Sequence, residues 1–149
     1  MTPRPLFRRV AIAEAVTWAL LLSSMALRTV NHDLGERAVS VFGMVHGVVF
    51  IAFCLVTALI WVDQRWPAGR GVLALASAVP PFATVLFDWH AERRGLLADA
   101  WRLRDEPASG SVERLAAWLI GNPAKAAVTG AVAVALLTAA ALAVGPPAG

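Results

Sequence analysis

Four apolar stretches, each about as long as a membrane-crossing helix, most constrain how this chain of 149 residues can fold. They cover residues 10 to 27, 38 to 62, 71 to 87, and 126 to the C-terminus. A helix needs about 20 mainly apolar residues to cross the hydrocarbon core of a bilayer. Because the stretches take up more than half of the chain, little sequence remains for a water-soluble domain.

The composition also indicates a membrane protein. Hydrophobic residues make up 58% of the chain, charged residues make up 15%, and the mean hydropathy is +0.66. An average soluble domain has roughly 25% charged residues. The sequence therefore predicts an all-α, polytopic bundle of four transmembrane helices in a lipid bilayer.

The first apolar stretch could be a retained helix or a cleaved signal peptide. Arg4, Arg8 and Arg9 precede it, and the segment Ser24-Met25-Ala26 is similar to a small-residue cleavage site. Glu14 interrupts the stretch, however, and the rest of the chain is itself strongly apolar. We expect a retained helix, so that four crossings place both termini on one side of the membrane.

The connections between the predicted helices differ in length. We expect a polar loop over residues 28 to 37 and a tight loop over residues 63 to 70, where Pro67 and Gly69 end the preceding helix. Residues 88 to 125 contain six acidic and six basic residues. Apolar residues recur there at helical spacing on both sides of "PASGS", which predicts two short amphipathic surface helices, although a partner-binding loop would use the same residues.

These boundaries predict three parts of the chain. Residues 1 to 95 form a three-helix membrane core, residues 96 to 123 form a solvated connection, and residues 124 to 149 form the fourth transmembrane helix. Asn122 and Pro123 together are a good start signal for that helix, because Asn caps helices and Pro suits their first position.

Small residues in the second stretch indicate close helix packing. Gly43 and Gly47 form a GxxxG pattern, which lets the backbones of membrane helices approach each other. His46 and Phe50 share their helix face, since the four residues lie at i, i+3, i+4 and i+7. We therefore expect His46 in a helix interface rather than in lipid.

Glu14 and Trp18 lie on the small-residue face of the first helix. A charged residue at the membrane centre costs about 2.5 to 3.5 kcal/mol on insertion scales, so we expect Glu14 inside the bundle, either neutral or hydrogen-bonded. At 1.5 Å per residue, the predicted boundaries place Glu14 and His46 on the order of 10 Å apart in depth. A direct hydrogen bond is therefore not expected, while a relay through water or a side chain remains open.

The third stretch contains a polar face of Ser77, Pro81, Thr84 and Asp88. Two consecutive prolines predict a kinked helix, which either lines a cavity or only packs. The four-span topology places Asp88 on the side of the membrane that holds all three histidines. These residues lie on separate segments and show no metal-binding spacing such as HExxH, so we expect no metal and no cofactor.

Three segments of the chain resemble those of the small bacterial integral membrane proteins grouped as DUF3817. They are "AEAVTW", "VFGMVHGVVF" and "VPPFATVLFD", and the resemblance covers about residues 6 to 95. Ala15 and Ala83 depart from it, since the family usually has Gly at both places. The resemblance implies a multi-pass protein of the bacterial cell membrane and brings no activity. Its motif positions are Glu14, His46, Gly47, Pro81 and Thr84.

Function can be narrowed only to two classes. The chain lacks a nucleophile elbow, a phosphate-binding loop and CxxC, so we expect no enzyme. Its formal charge of +3 is small and its basic residues alternate with acidic ones, so we expect no nucleic-acid binding. The first class is a small bundle that binds or supports other membrane proteins or forms a homo-oligomer. The second is an oligomeric proton-coupled transporter or channel using Glu14, His46 and the kinked third helix. Transporters usually have more helices or internal repeats, which favours the first class.

The distribution of basic residues leaves the orientation open. In the four-span topology, the side with the N-terminus holds five basic residues and the other side holds eight, so the positive-inside rule conflicts with an N-terminus in the cytoplasm.

Overall fold

The computed structural model describes residues 1 to 144, and every regular element within them is a helix. The seven helices are α1 (Pro3–Val30), α2 (His32–Asp63), α3 (Ala68–Ala76), α4 (Ala83–Arg93), α5 (Arg102–Asp105), α6 (Ser111–Gly121) and α7 (Pro123–Val144). The all-α prediction is confirmed for these residues. Three of the helices, α1, α2 and α7, are long and apolar enough to cross a membrane. The last five residues of the fourth predicted span, 145 to 149, lie outside the described residues.

A single residue, Asn31, separates α1 from α2. Its side chain accepts a hydrogen bond from the backbone N–H of Leu34 at 3.1 Å and so caps α2. The prediction of a polar loop over residues 28 to 37 was wrong, because α1 continues to Val30 and α2 begins at His32. A helix of 28 residues is about 42 Å long, which exceeds a hydrocarbon core of ~30 Å, so its polar end can lie at headgroup level.

The helices α1 and α2 are antiparallel and define two ends of the bundle. We call the end that holds Pro3 and Asp63 the N-terminal end, and the opposite end the Asn31 end. Phe7, Phe53, Trp66 and Phe87 pack their rings together toward the N-terminal end, with centroids 5.6 to 6.3 Å apart. This aromatic group joins α1, α2 and α4.

The third predicted span, residues 71 to 87, is two helices rather than one. Residues 77 to 82 are not helical and separate α3 from α4. Pro80 and Pro81 remove two backbone donors and clash with the preceding turn, which ends the helix. Phe82 then adopts a left-handed conformation, with φ of 65°, and the chain turns back.

Together α3 and α4 form a hairpin, residues 68 to 93, that starts and finishes at the N-terminal end. At its start Gly71 packs on the ring of Trp61, and at its tip the carbonyl of Ala78 lies 3.4 Å from Trp18 Nε1, halfway along α1. The chain then follows α1 back toward its first residue through three contacts: Thr84 with Ala11 at 3.1 Å, Asp88 with Arg8 at 3.0 Å, and Leu97 with Arg4 at 3.2 Å.

This path corrects the predicted topology. The third stretch does not run from one end of the bundle to the other, so Asp88 and His90 lie toward the N-terminal end and not beside His32. The expectation that all three histidines share one side was therefore wrong. Among residues 1 to 144, α1, α2 and α7 are therefore the helices long enough to cross a membrane.

The connection after α4 is folded onto the N-terminal end. Asp63, at the end of α2, accepts hydrogen bonds from the backbone N–H groups of Arg102 and Leu103, and Trp101 Nε1 donates to the carbonyl of Met1 at 2.7 Å. Of the two predicted surface helices, α6 matches the second. The first is reduced to the four residues of α5, because side-chain contacts hold residues 96 to 101 in an irregular conformation.

The last helix, α7, begins at Pro123 as predicted and packs antiparallel to α2. Residues near its start face Ala52 and Val56, whereas Thr138 and Leu142 face Ser40 and Gly47 near the Asn31 end. The described chain therefore starts at one end of the bundle and finishes at the other. For residues 1 to 144, this arrangement contradicts the expectation that the two ends of the chain lie on one side.

Candidate functional site

Four polar side chains meet where α1, α2 and the start of α4 come together, about halfway along the bundle. We call Glu14, Thr17, His46 and Thr84 the polar cluster. All four are buried, and Glu14 and Thr84 have no exposed surface at all. Buried polar groups in an apolar surrounding need hydrogen-bond partners, so the contacts within the cluster decide its chemistry.

Thr84 connects the hairpin to α1. Its hydroxyl lies 2.7 Å from Glu14 Oε2 and 3.1 Å from the carbonyl oxygen of Ala11. The second carboxyl oxygen of Glu14, Oε1, is buried and has no hydrogen-bond partner among the described residues. The first turn of α4 is thus held to α1 through one hydroxyl and one carboxyl group.

Thr17 connects α1 to His46 of α2. Its hydroxyl donates to the carbonyl of Glu14 at 2.8 Å and lies 2.9 Å from His46 Nδ1. Because a hydroxyl has one proton, which the carbonyl takes, Nδ1 of His46 must donate the second contact. Trp18 packs against the imidazole, with ring centroids 4.5 Å apart, and covers it.

Glu14 and His46 are therefore linked through Thr17 and the backbone of α1. His46 lies closer in depth to Glu14 than predicted, because α2 begins at His32 and not at residue 38. Thr17 was not among the predicted site residues. The available signal was its position, three residues after Glu14 and beside Trp18, on the face that carries both.

The remaining predicted residues lie elsewhere. Pro81 is at the tip of the hairpin, and Asp88 is one helical turn beyond Thr84, where Arg8 binds both Asp88 and Glu92. Within residues 1 to 144, no group of three or more His, Cys, Asp or Glu side chains is arranged to hold a metal ion.

The predicted close packing at Gly43 and Gly47 is not found. A Cβ atom at Gly47 would meet nothing within 4 Å, and one at Gly43 would make an ordinary contact of 3.8 Å with Leu21. Both glycines line a shallow cavity of about 370 Å³ that α7 leaves open. The close approaches are at Gly35, against the backbone of Arg28, and at Gly71, against Trp61.

A helical bundle that buries a polar cluster and keeps long apolar helix faces on its surface is a membrane protein. The chain belongs to the family described as "Domain of unknown function (DUF3817)", whose model matches residues 5 to 93. The resemblance inferred from the sequence is thereby confirmed. The match ends with α4, so that α5, α6 and α7 lie beyond it.

A relative from Streptomyces coelicolor, SCO5905, is provisionally named as a membrane protein and is 41% identical over 92 residues. The aligned region covers 61% of this chain but only 11% of the relative. No solved structure matches the chain.

Proposed function

We propose that the chain is a multi-pass protein of the bacterial cell membrane, with crossings by α1, α2 and α7. In this arrangement the hairpin enters the membrane from the N-terminal end and returns to it. Irregular backbone is tolerated at membrane depth only where protein covers it or where it lines a cavity. The contacts of Ala78 with Trp18, and of Thr84 with Ala11, hold the two sides of the hairpin tip against α1. Residues 79 to 82 of the tip itself are exposed, so at membrane depth they need cover from another protein.

Its proposed role is to bind and support another membrane protein, without enzymatic activity. The observation that carries this proposal is a groove of about 790 Å³ between α2 and α7. Its walls are apolar and rich in small residues, among them Ala52, Ala127, Gly130, Ala131 and Ala135. Membrane helices associate through such surfaces, and α7 presents one without burying any of its own residues.

The relative adds a second line of support. The matched region is only 11% of SCO5905, so in that protein it is a small part of a longer chain. A bundle that forms a small part of a much longer chain in this relative suits a supporting role better than the role of a solitary transporter.

Photo-crosslinking in native membranes tests the proposed role. A photoreactive amino acid at Gly47 or Ala131, within the cavities between α2 and α7, should crosslink to one protein that mass spectrometry identifies. The matched control is Ile12 on α1, whose side chain is exposed and does not line either cavity, and which should crosslink to lipid. Identical products from both positions would reject the groove as a binding surface. A crosslinked second copy would identify the partner as the chain itself.

An oligomeric proton-coupled transporter or channel is the second candidate, and the hairpin is the observation that favours it. A broken helix with its tip at mid-depth, beside Glu14 and His46, is typical of transporters. Liposomes containing the protein should then show pH-dependent flux that His46→Gln abolishes while the fold stays intact. Flux that is absent, or unaffected by this substitution, rejects the candidate.

A further inference from the structure

Glu14 is a costly side chain to bury. It has no exposed surface, and among residues 1 to 144 it forms no ion pair and leaves Oε1 without a hydrogen-bond partner. An ionised carboxylate in such a place would be strongly unfavourable, because an isolated buried charge loses its hydration without compensation. The protonation state of Glu14 can be inferred from its hydrogen bonds.

If Glu14 were ionised, the single hydroxyl proton of Thr84 would have to serve two acceptors. It lies 2.7 Å from Glu14 Oε2 and 3.1 Å from the carbonyl of Ala11, and a threonine hydroxyl carries one proton. A carboxylate and a carbonyl can only accept, so one contact would bring two acceptors together. A protonated Glu14 satisfies both contacts, since its O–H donates to Thr84 Oγ1 and Thr84 donates to Ala11.

The charged groups nearby do not offer Glu14 a counter-ion. Arg8 lies nearly two turns toward the N-terminal end and is bound to Asp88 and Glu92 on α4. From α2, the titratable groups near Glu14 are His46, which bonds to Thr17, and Cys54. No group among these neutralises a carboxylate at Oε1.

We propose that Glu14 is a proton-binding site and that its bound proton joins the α3–α4 hairpin to α1. With the proton bound, a chain of two hydrogen bonds runs from Glu14 through Thr84 to Ala11. Without it, the carboxylate and the Ala11 carbonyl compete for a single hydroxyl proton. The attachment of the hairpin to α1 is then weakened at the point where the irregular tip begins.

Infrared spectroscopy of the protein in lipid vesicles at neutral pH tests the proposal. The C=O stretch of a protonated carboxylic acid is resolved from the bands of ionised carboxylates. We expect one such band that moves when the glutamates carry ¹³C and that is lost in Glu14→Gln. The other glutamates should not contribute, because Glu36 is exposed and Glu92, Glu106 and Glu113 each pair with arginine.

Substitutions at Thr84 test whether this proton is shared. Thr84→Val keeps the side-chain shape without the hydroxyl and should move the band to higher frequency, whereas Thr84→Ser should leave it in place. Glu36→Gln is the control and should change nothing. Absence of a ¹³C-sensitive acid band in the wild type would overturn the proposal whether or not Glu14→Gln folds. A band at the same frequency in Thr84→Val and the wild type would overturn the link to the hairpin.

Discussion

At the scale of single residues, His46 depends on one hydrogen bond to Thr17 and on the cover of Trp18. We predict that His46→Leu lowers the free energy of unfolding by about 0.6 to 2 kcal/mol, the range for hydrogen bonds between membrane helices. His46→Asn and His46→Gln should lose less, because an amide also donates and accepts. Unfolding in mixed micelles measures the difference. If the Asn and Gln variants lose as much stability as the Leu variant, hydrogen bonding alone does not explain the contribution of His46.

A double-mutant cycle assigns the effect to this bond. Thr17→Val removes the hydroxyl with little change in shape, so the variant carrying both Thr17→Val and His46→Leu should lose no more than the worse single variant. Fully additive losses would show that the two side chains do not interact.

Phe82 holds a strained backbone at the tip of the hairpin. Its φ of 65° lies in the left-handed region, which costs an L-residue roughly 1 to 2 kcal/mol and costs glycine little. We therefore predict that Phe82→Gly is more stable than Phe82→Ala by about 1 to 2 kcal/mol. Comparison with Ala removes the contribution of the aromatic ring. Equal unfolding free energies would show that the tip relaxes to another conformation.

At the scale of elements, the packing of α3 on α2 depends on Gly71. A methyl group at this position would collide with the ring of Trp61, so Gly71→Ala should lower the unfolding free energy by about 1 to 3 kcal/mol. Gly47→Ala is the matched control, since nothing lies within 4 Å, and it should gain about 0.5 to 1 kcal/mol from helix propensity. The reverse order of stability would restore Gly47 as the packing glycine.

The start of α6 is held by Glu113. Its carboxylate accepts hydrogen bonds from the backbone N–H and the hydroxyl of Ser109, both at 2.8 Å, and from Arg102 at 2.7 Å. These contacts, led by the backbone N–H, lower the pKa of Glu113 to about 2. A depressed folded-state pKa stabilises the fold above the unfolded pKa of ~4.3, and this contribution is lost as the pH falls toward 2.

We therefore predict that the melting temperature decreases as the pH is lowered from 5 to 2. Glu113→Gln should make this decrease smaller. Circular dichroism of the protein in detergent measures both melting temperatures. Glu36→Gln, at an exposed site, is the control and should keep the pH dependence of the wild type. An unchanged pH dependence in Glu113→Gln would mean that this carboxylate is not linked to folding.

Hydropathy predicts the long elements but not how they end or turn. The start of α7 at Pro123 follows from local capping signals, whereas Arg28 and Glu36 suggest a loop although they belong to helices. A polar residue at a helix end and one in a loop look alike in sequence, since both reach water. An apolar run of 17 residues suits one crossing or two shorter helices. Contacts between residues distant in sequence, such as that of Thr84 with Ala11, decide between them.

Three residues of the candidate site could be predicted from the sequence, but the place where they meet could not. Glu14, His46 and Thr84 stand out because polar groups are rare in apolar runs and because they match family motifs. Their meeting point depends on the α3–α4 hairpin turning back along α1, which no local pattern specifies. Thr17 was missed because a threonine in an apolar helix commonly bonds only to its own backbone.

At the scale of the whole molecule, the hairpin removes the conflict between the positive-inside rule and the distribution of basic residues in the four-span topology. The long connection now lies at the N-terminal end, and Arg28 and Arg37 alone lie at the Asn31 end. The basic residues at the N-terminal end are Arg4, Arg8, Arg9, Arg65, Arg70, Arg93, Arg94, Arg102, Arg104, Arg114 and Lys125. Loops rich in Lys and Arg stay in the cytoplasm, so the N-terminal end is predicted to be cytoplasmic.

Single cysteines in a Cys54→Ser background test both this orientation and the number of crossings. With a membrane-impermeant maleimide applied to intact cells, Val30→Cys and Val144→Cys at the Asn31 end should be labelled. Thr2→Cys and Pro107→Cys should be labelled only after the membrane is opened, because both lie at the N-terminal end. A four-span topology would instead place Thr2 and Pro107 on opposite sides of the membrane. Labelling of exactly one of these two in intact cells would therefore show that α3 and α4 cross the membrane as a fourth span and that the hairpin does not re-enter.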